Sequence, residues 1–121
     1  MSSMRVLLTG GTGFVGGHLA EALVREGIRP RCLVRPRSSY GALAALGAEL
    51  SSGGLDDPES LAKACRGCDV VFHAAGKTKV SRDAEYRQAN VDGTVRLVAA
   101  VREAAPEALF VLVSSLAAAG P

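Results

Sequence analysis

The sequence predicts a doubly wound α/β fold: five parallel strands in the order 3-2-1-4-5, helices on both faces, and a ligand site at the switch between strands 1 and 4. Three observations predict it. Strand-length apolar runs alternate with helix-length amphipathic segments in the pattern β-α-β-α-β-α-β-α-β. Those strand runs are continuously apolar rather than alternating, as strands covered on both faces must be. A glycine-rich turn joins the first strand to the first helix.

Arg5–Thr9 is a short apolar run that stops at glycines, which predicts a buried strand. Val15–Glu26 carries Val15, Leu19, Ala22 and Leu23 at helical spacing, with Glu21, Arg25 and Glu26 opposite and Gly27 closing the helix. Arg31–Arg35 is a second strand, ended by Pro36. Ser39–Leu46 suggests a short helix and Ala48–Ser52 a third strand. Asp57-Pro58 is a helix start, with an N-cap carboxylate followed by proline at the first helical position. That helix runs to about Cys65. Asp69–Ala74 is a fourth buried strand. Ser81–Ala104 is helical, with Val91, Val95, Val98 and Val101 expected near one face, and Pro106 marks its exit. Leu109–Val113 is the last strand.

Composition narrows the function classes. The chain is 48% hydrophobic and 21% charged, a balance that supports a packed core and argues against disorder. Its formal charge of +2 comes from interspersed acids and bases, so no nucleic-acid-binding stripe is implied. The apolar runs are too short for a membrane helix, and Met1–Arg5 lacks the apolar segment of a signal peptide. The expectation is a cytoplasmic protein with no nucleic-acid or membrane partner. Cys32, Cys65 and Cys68 are an odd count, and Cys65-Arg-Gly-Cys68 stands apart from His18 and His73. Packing is therefore expected of them rather than a disulfide framework or a metal site.

The chemistry concentrates in Thr9-Gly10-Gly11-Thr12-Gly13-Phe14-Val15-Gly16-Gly17. Gly10, Gly13 and Gly16 make GxxGxxG. Gly10 permits the tight turn out of the first strand, Gly13 lets the backbone approach a pyrophosphate, and Gly16 lets the helix pack close to the sheet. The N–H groups of Phe14 and Val15 then face the phosphates at the positive end of the helix. Cofactor choice turns on the end of the second strand. An NAD site wants an acid there for the ribose hydroxyls. This chain has Arg35, with Arg37 two residues on. A guanidinium suits a 2′-phosphate, so NADP is expected, with NAD the alternative and a solvated arginine the plainer reading.

TGGTGFVGGH at 9–18, DVVFHAAG at 69–76, NVDGT at 90–94 and VSS at 113–115 stand in this order. Together they resemble the extended short-chain dehydrogenase/reductase family of NAD(P)-dependent epimerases, dehydratases and reductases. The resemblance implies that residues 1–121 form a Rossmann-type NAD(P)-binding domain, the amino-terminal part of a longer enzyme that stops after the fifth strand. It implies that Ala74, Ala75 and Gly76 lie against the adenosine side of the cofactor. Asn90 would order the active-site backbone and water, or serve only as a helix-interior polar group. Val113 and Ser114 would line the nicotinamide pocket, and Ser115 would hold the substrate oxygen, or merely cap a strand end. The family often carries an acid on adenine after the third strand, where this chain has Gly53-Gly54-Leu55. The adenine contact is then expected to differ or to come from backbone, with Leu55 beside the cofactor. Lys77 and Lys79 are expected in a solvated loop, within reach of cofactor phosphate or an anionic substrate.

Hydride transfer in that family needs a tyrosine acid/base with a lysine four residues later. Tyr40 is followed at that spacing by Ala44 and Tyr86 by Asn90, so neither makes the pair. In the family it lies beyond the position of Pro121. The parent is expected to be a reductase, epimerase or dehydratase acting by hydride transfer on a small-molecule substrate, and this chain alone to be inactive. A non-catalytic NAD(P)-binding sensor is the alternative. An uncovered fifth strand would also offer an edge for self-association.

Overall fold

The computed structural model describes residues 4–74 and 84–113. Strands β1 (Val6–Thr9), β2 (Arg31–Val34), β3 (Glu49–Ser52), β4 (Val70–Ala74) and β5 (Leu109–Val113) alternate with helices α1 (Phe14–Arg25), α2 (Gly41–Ala45), α3 (Pro58–Cys65) and α4 (Ala84–Ala104). The strands form one parallel sheet in the order β3-β2-β1-β4-β5, as the sequence predicts. Strand alternation sorts side chains to two faces. Leu7, Leu33 and Val71 point to one face and pack with Leu61, Ala64 and Cys65 of α3 and Leu97, Ala100 and Val101 of α4. Leu8, Cys32 and Val34 point to the other and pack with Ala20 of α1 and Leu43 of α2. The cysteines belong to these cores: Cys65 and Cys68 to the first, Cys32 to the second. Burial pushes the Cys32 and Cys65 thiols up to about 11.

Local chemistry sets the helix ends. Asp57 caps α3 by accepting from the N–H groups of Glu59 at 3.2 Å and Ser60 at 3.5 Å, with Pro58 in the first turn. At the other end of α3, the Arg31 guanidinium donates to the carbonyls of Ala64 at 2.7 Å and Arg66 at 3.0 Å. That contact ties the start of β2 to α3.

The expected valine face of α4 is not the buried one. Val91 and Val95 are 55% and 61% exposed, whereas Leu97, Ala100 and Val101 are buried. At 100° per residue, the face centred on Gly93, Leu97, Ala100 and Val101 lies more than about 100° around the helix from Val91 and Val95. Gly93 belongs to the buried face because the chain after β3 passes close by. A Cβ there would meet Leu55 Cδ1 at 3.1 Å. The valines looked like a stripe because apolar identity was read without the small residues that allow close packing.

The register brings strand ends together. Thr9 pairs with Leu33 and with His73, Val34 with Ser52, and Ala74 with Val113. The carboxyl ends of all five strands thus form one edge. α1, after β1, and α4, after β4, pack on opposite faces of the sheet, and an open parallel sheet binds its ligand at such a place.

Candidate functional site

The turn after β1 is built by two glycines that tolerate no side chain. Gly10 has φ +79°, and a Cβ on it would lie 2.4 Å from the carbonyl oxygen of Ala74 on β4. Gly16 is tighter. A Cβ there would lie 1.9 Å from the Gly10 carbonyl oxygen. The close approach at Gly16 is therefore between the first turn of α1 and the turn itself, not between the helix and the sheet as its spacing suggested. Gly13 differs from both. It is extended, at φ −85° and ψ 175°, and a Cβ on it would meet only the Gly10 oxygen, at 3.4 Å.

This packing aims α1 at the strand ends. Gly13 is its N-cap, with no side chain capping it and no acid in the first turn. Gly17 N–H already donates to the Gly13 carbonyl at 2.8 Å, and Gly13 N–H to Gly10 at 3.1 Å. The N–H groups of Phe14, Val15 and Gly16 belong to the open first turn, where an α-helix has no internal acceptors. The partial positive charge of the helix end adds to them. Phe14 itself is 77% exposed and meets the His18 ring edge-on, with centroids 4.6 Å apart. Val15 is half-buried.

A cleft of about 260 Å³ opens above the strand ends. Five residues singled out in the sequence line it: Gly10, Gly13, Arg35, Leu55 and Ala74. Phe14, Val15 and Gly16 form the adjoining helix start, and Val113 ends β5 outside the lining. Asn90 lies in α4, one turn before the cleft residue Thr94. Ala75, Gly76, Lys77, Lys79, Ser114 and Ser115 lie outside the described residues. Thr12, Gly53 and Gly54 line the cleft too and were named within their motifs without a role of their own, whereas sequence reasoning missed Ser38 and a buried polar joint beneath the cleft. His73, 3% exposed, shares a hydrogen bond through Nδ1 with Thr9 Oγ1 at 2.5 Å and through Nε2 with Thr94 Oγ1 at 3.0 Å. The joint fastens β1, β4 and α4 together. Burial lowers the His73 pKa and favours the neutral ring, which donates through one nitrogen and accepts through the other. A histidine breaking the apolar run of β4 was the available signal.

The end of the cleft beside β2 is formed by side chains. Arg35 follows β2 and is exposed at the cleft, its carbonyl accepting from Ser38 Oγ at 2.7 Å. No acid stands at the end of β2. The residues present fit a dinucleotide: open helix N–H groups that suit a pyrophosphate, a glycine without a side chain before them, and an exposed guanidinium after β2.

Comparison with known proteins agrees. Residues 6–121 match the family described as "NAD dependent epimerase/dehydratase family". The chain is 45% identical over 102 residues to a 4-hydroxy-2-methyl-3-oxo-4-farnesyl-3,4-dihydroquinoline-1-oxide ketoreductase of Stigmatella aurantiaca, covering 84% of this chain and 30% of that protein. It is similar to the crystal structure of gox2253, with a TM-score of 0.78 and 40% identity over 93% of this chain and 34% of the other. A structure of AtPrR2 with NADP+ and (+)pinoresinol aligns at a TM-score of 0.66 and 32% identity, over 86% of this chain and 34% of that one. The chain thus spans about a third of the length of the relatives it matches. With its Rossmann-type sheet, glycine turn and match over residues 6–121, the chain belongs to the NAD dependent epimerase/dehydratase family.

Proposed function

We propose that this chain is the NADP-binding part of a longer oxidoreductase that transfers hydride at a hydroxyl or carbonyl carbon of a small molecule. The observation that carries the cofactor choice is Arg35 at the ribose end of the cleft, with no acid at the end of β2. A guanidinium donates two parallel hydrogen bonds to a phosphate, and an acid there would repel it. Binding of NADP+ by AtPrR2 supports the reading. The names of similar proteins, a ketoreductase and a ceramide reductase among them, favour reduction over a sensor role.

The nicotinamide group, when bound, supplies or accepts the hydride. The chain's own residues bind and orient. The N–H groups of Phe14 and Val15 hold the pyrophosphate over Gly13, and Gly10 and Gly16 keep that turn close. Leu55, Ala74, Ala75 and Gly76 flank the adenosine side. Val113 and Ser114 line the nicotinamide end, Asn90 orders the backbone beside it, and Ser115 holds the substrate oxygen. The tyrosine–lysine pair is supplied elsewhere in the full protein, and the gene downstream of Pro121 tests that point directly. Among the described residues no helix is long and apolar enough to cross a membrane. A cytoplasmic location belongs to the proposal.

Calorimetric titration with NADP+ and NAD+ tests the cofactor choice. The expected result is tighter NADP+ binding, and equal affinities overturn it. Partners follow from the same reading. Leu109 and Leu112 of β5 are 63% and 55% exposed, and the outer edge of β5 has no strand beside it among the described residues. An edge of this kind pairs with another chain, so we expect the 121-residue chain to self-associate. Sedimentation across a concentration series checks this. A monomer at high micromolar concentration, unchanged by Val111→Lys, rules it out.

A further inference from the structure

The opposite end of the sheet carries chemistry of its own. α3 runs out into Cys65-Arg66-Gly67-Cys68, and that stretch is a tight turn. The Cys68 N–H donates to the Cys65 carbonyl at 3.1 Å. Arg66 stands at φ −59° and ψ 125°, and Gly67 at φ +79°, as a type II turn with glycine in its third place requires. A turn of this kind brings its first and last Cα atoms within about 7 Å, the range a disulfide spans. Both side chains enter the same core cluster. Burial raises the Cys65 thiol, and the nearby Cys68 thiol raises it further.

The two cysteines differ in access. Cys65 is fully buried. Cys68 is 7% exposed and borders a hollow of about 780 Å³ at the amino-terminal end of the sheet, together with Arg5, Arg29 and Arg31. The Arg31 guanidinium donates to Cys68 Sγ at 3.6 Å, beside its bonds to the carbonyls of Ala64 and Arg66. It opposes the upward push of burial on the Cys68 thiol. The carboxyl end of a helix disfavours a thiolate, and the guanidinium supplies the positive charge that this end lacks.

We propose that Cys65 and Cys68 form an oxidant-sensing dithiol, which hydrogen peroxide entering the hollow converts to a disulfide. Cys68 Sγ attacks one peroxide oxygen. The S–O bond forms, the O–O bond breaks, and the leaving hydroxide departs as water with the thiol proton, which leaves a sulfenic acid. Cys65 Sγ then attacks Cys68 Sγ. The S–S bond forms, the S–O bond breaks, and a second water leaves with the Cys65 proton. The two thiols lose two electrons, and one peroxide is reduced to two waters. Cys32 lies in the core on the other face of the sheet and takes no part. None of these steps requires a bound dinucleotide.

The test exposes the folded chain to hydrogen peroxide, quenches the reaction and counts free thiols after unfolding. The count is expected to fall from three to one, with a Cys65–Cys68 disulfide in the peptide mass spectrum and full recovery on treatment with dithiothreitol. Cys65→Ser removes the resolving thiol, so the sulfenic acid is expected to persist on Cys68 and be trapped by dimedone. Cys68→Ala is expected to keep Cys65 and Cys32 reduced under the same exposure. Circular dichroism confirms that each variant keeps its fold, and the thiol count of the wild type decides the matter if one does not. A wild-type count that stays at three, or a disulfide that joins two copies of the chain, overturns the proposal. So does a dimedone adduct on Cys32 in place of Cys68, or oxidation of Cys65 in Cys68→Ala at the wild-type rate.

Discussion

The two ends of the cleft are made of different material. The turn at Gly10–Gly16 is built from backbone: its shape comes from missing side chains, and its donors are N–H groups at the start of α1. The rim formed by Arg35 and the turn at residues 53–57 is built from side chains on loops. On the proposed reading, a backbone site reads what all dinucleotides share, the pyrophosphate, and a side-chain rim reads what differs among them, the 2′ position. Substitutions at the first should therefore abolish binding, and substitutions at the second should redirect it.

The largest effect is expected at Gly16. Gly16→Val puts a Cβ 1.9 Å from the Gly10 oxygen, so the start of α1 must move. We expect a loss of more than about 2 kcal/mol in stability, as overpacking against fixed backbone costs, together with loss of cofactor binding. Urea unfolding and calorimetry measure both. Gly13→Val separates the two. Gly13 is extended and open, so the fold should persist within about 1 kcal/mol while binding disappears, because the side chain fills the pyrophosphate's place. A native circular dichroism spectrum with unchanged affinity would refute the phosphate-cradle reading.

Arg35→Asp sharpens the contrast at the other end. It should weaken NADP+ by roughly tenfold to a hundredfold, as losing a charge-assisted pair and adding repulsion would, and leave NAD+ no worse. Equal losses for both cofactors would mean that the rim does not discriminate.

The smallest effect tests the joint beneath the cleft. His73 is buried and its folded pKa is lowered from 6.5, so the unfolded chain takes up a proton that the folded chain resists. Stability should be full above about pH 6.5 and fall as pH drops below it, by at most about 1.4 kcal/mol per pH unit. His73→Gln should flatten that part of the melting-temperature profile. A wild-type profile flat between pH 5 and 7 would show that the ring does not titrate differently on folding.

Legibility followed the same division. Strands, helices and their order were readable because apolar runs and helix ends are local properties: Leu7 and Leu8 must be buried on opposite faces whatever surrounds them, and Asp57-Pro58 begins a helix from its own chemistry. The glycine turn was readable as well, since three glycines at fixed spacing after a strand have few other uses. The reason assigned to Gly16 was not, because the atom it avoids lies in the turn, six residues back. The exposure of Val91 and Val95 also escaped, since the face of a helix that is covered depends on what packs against it.

Composition and spacing alone determined the alternation of strands and helices, the glycine turn and the arginine at the end of β2, all features set by residues near one another in the chain. Tertiary structure alone decided which distant groups meet. Thr9 reaches His73 across 64 residues, and His73 reaches Thr94 across 21. Such contacts depend on strand register and loop closure. A one-residue slip of β4 would turn His73 to the other face of the sheet, with its composition and local propensity unchanged.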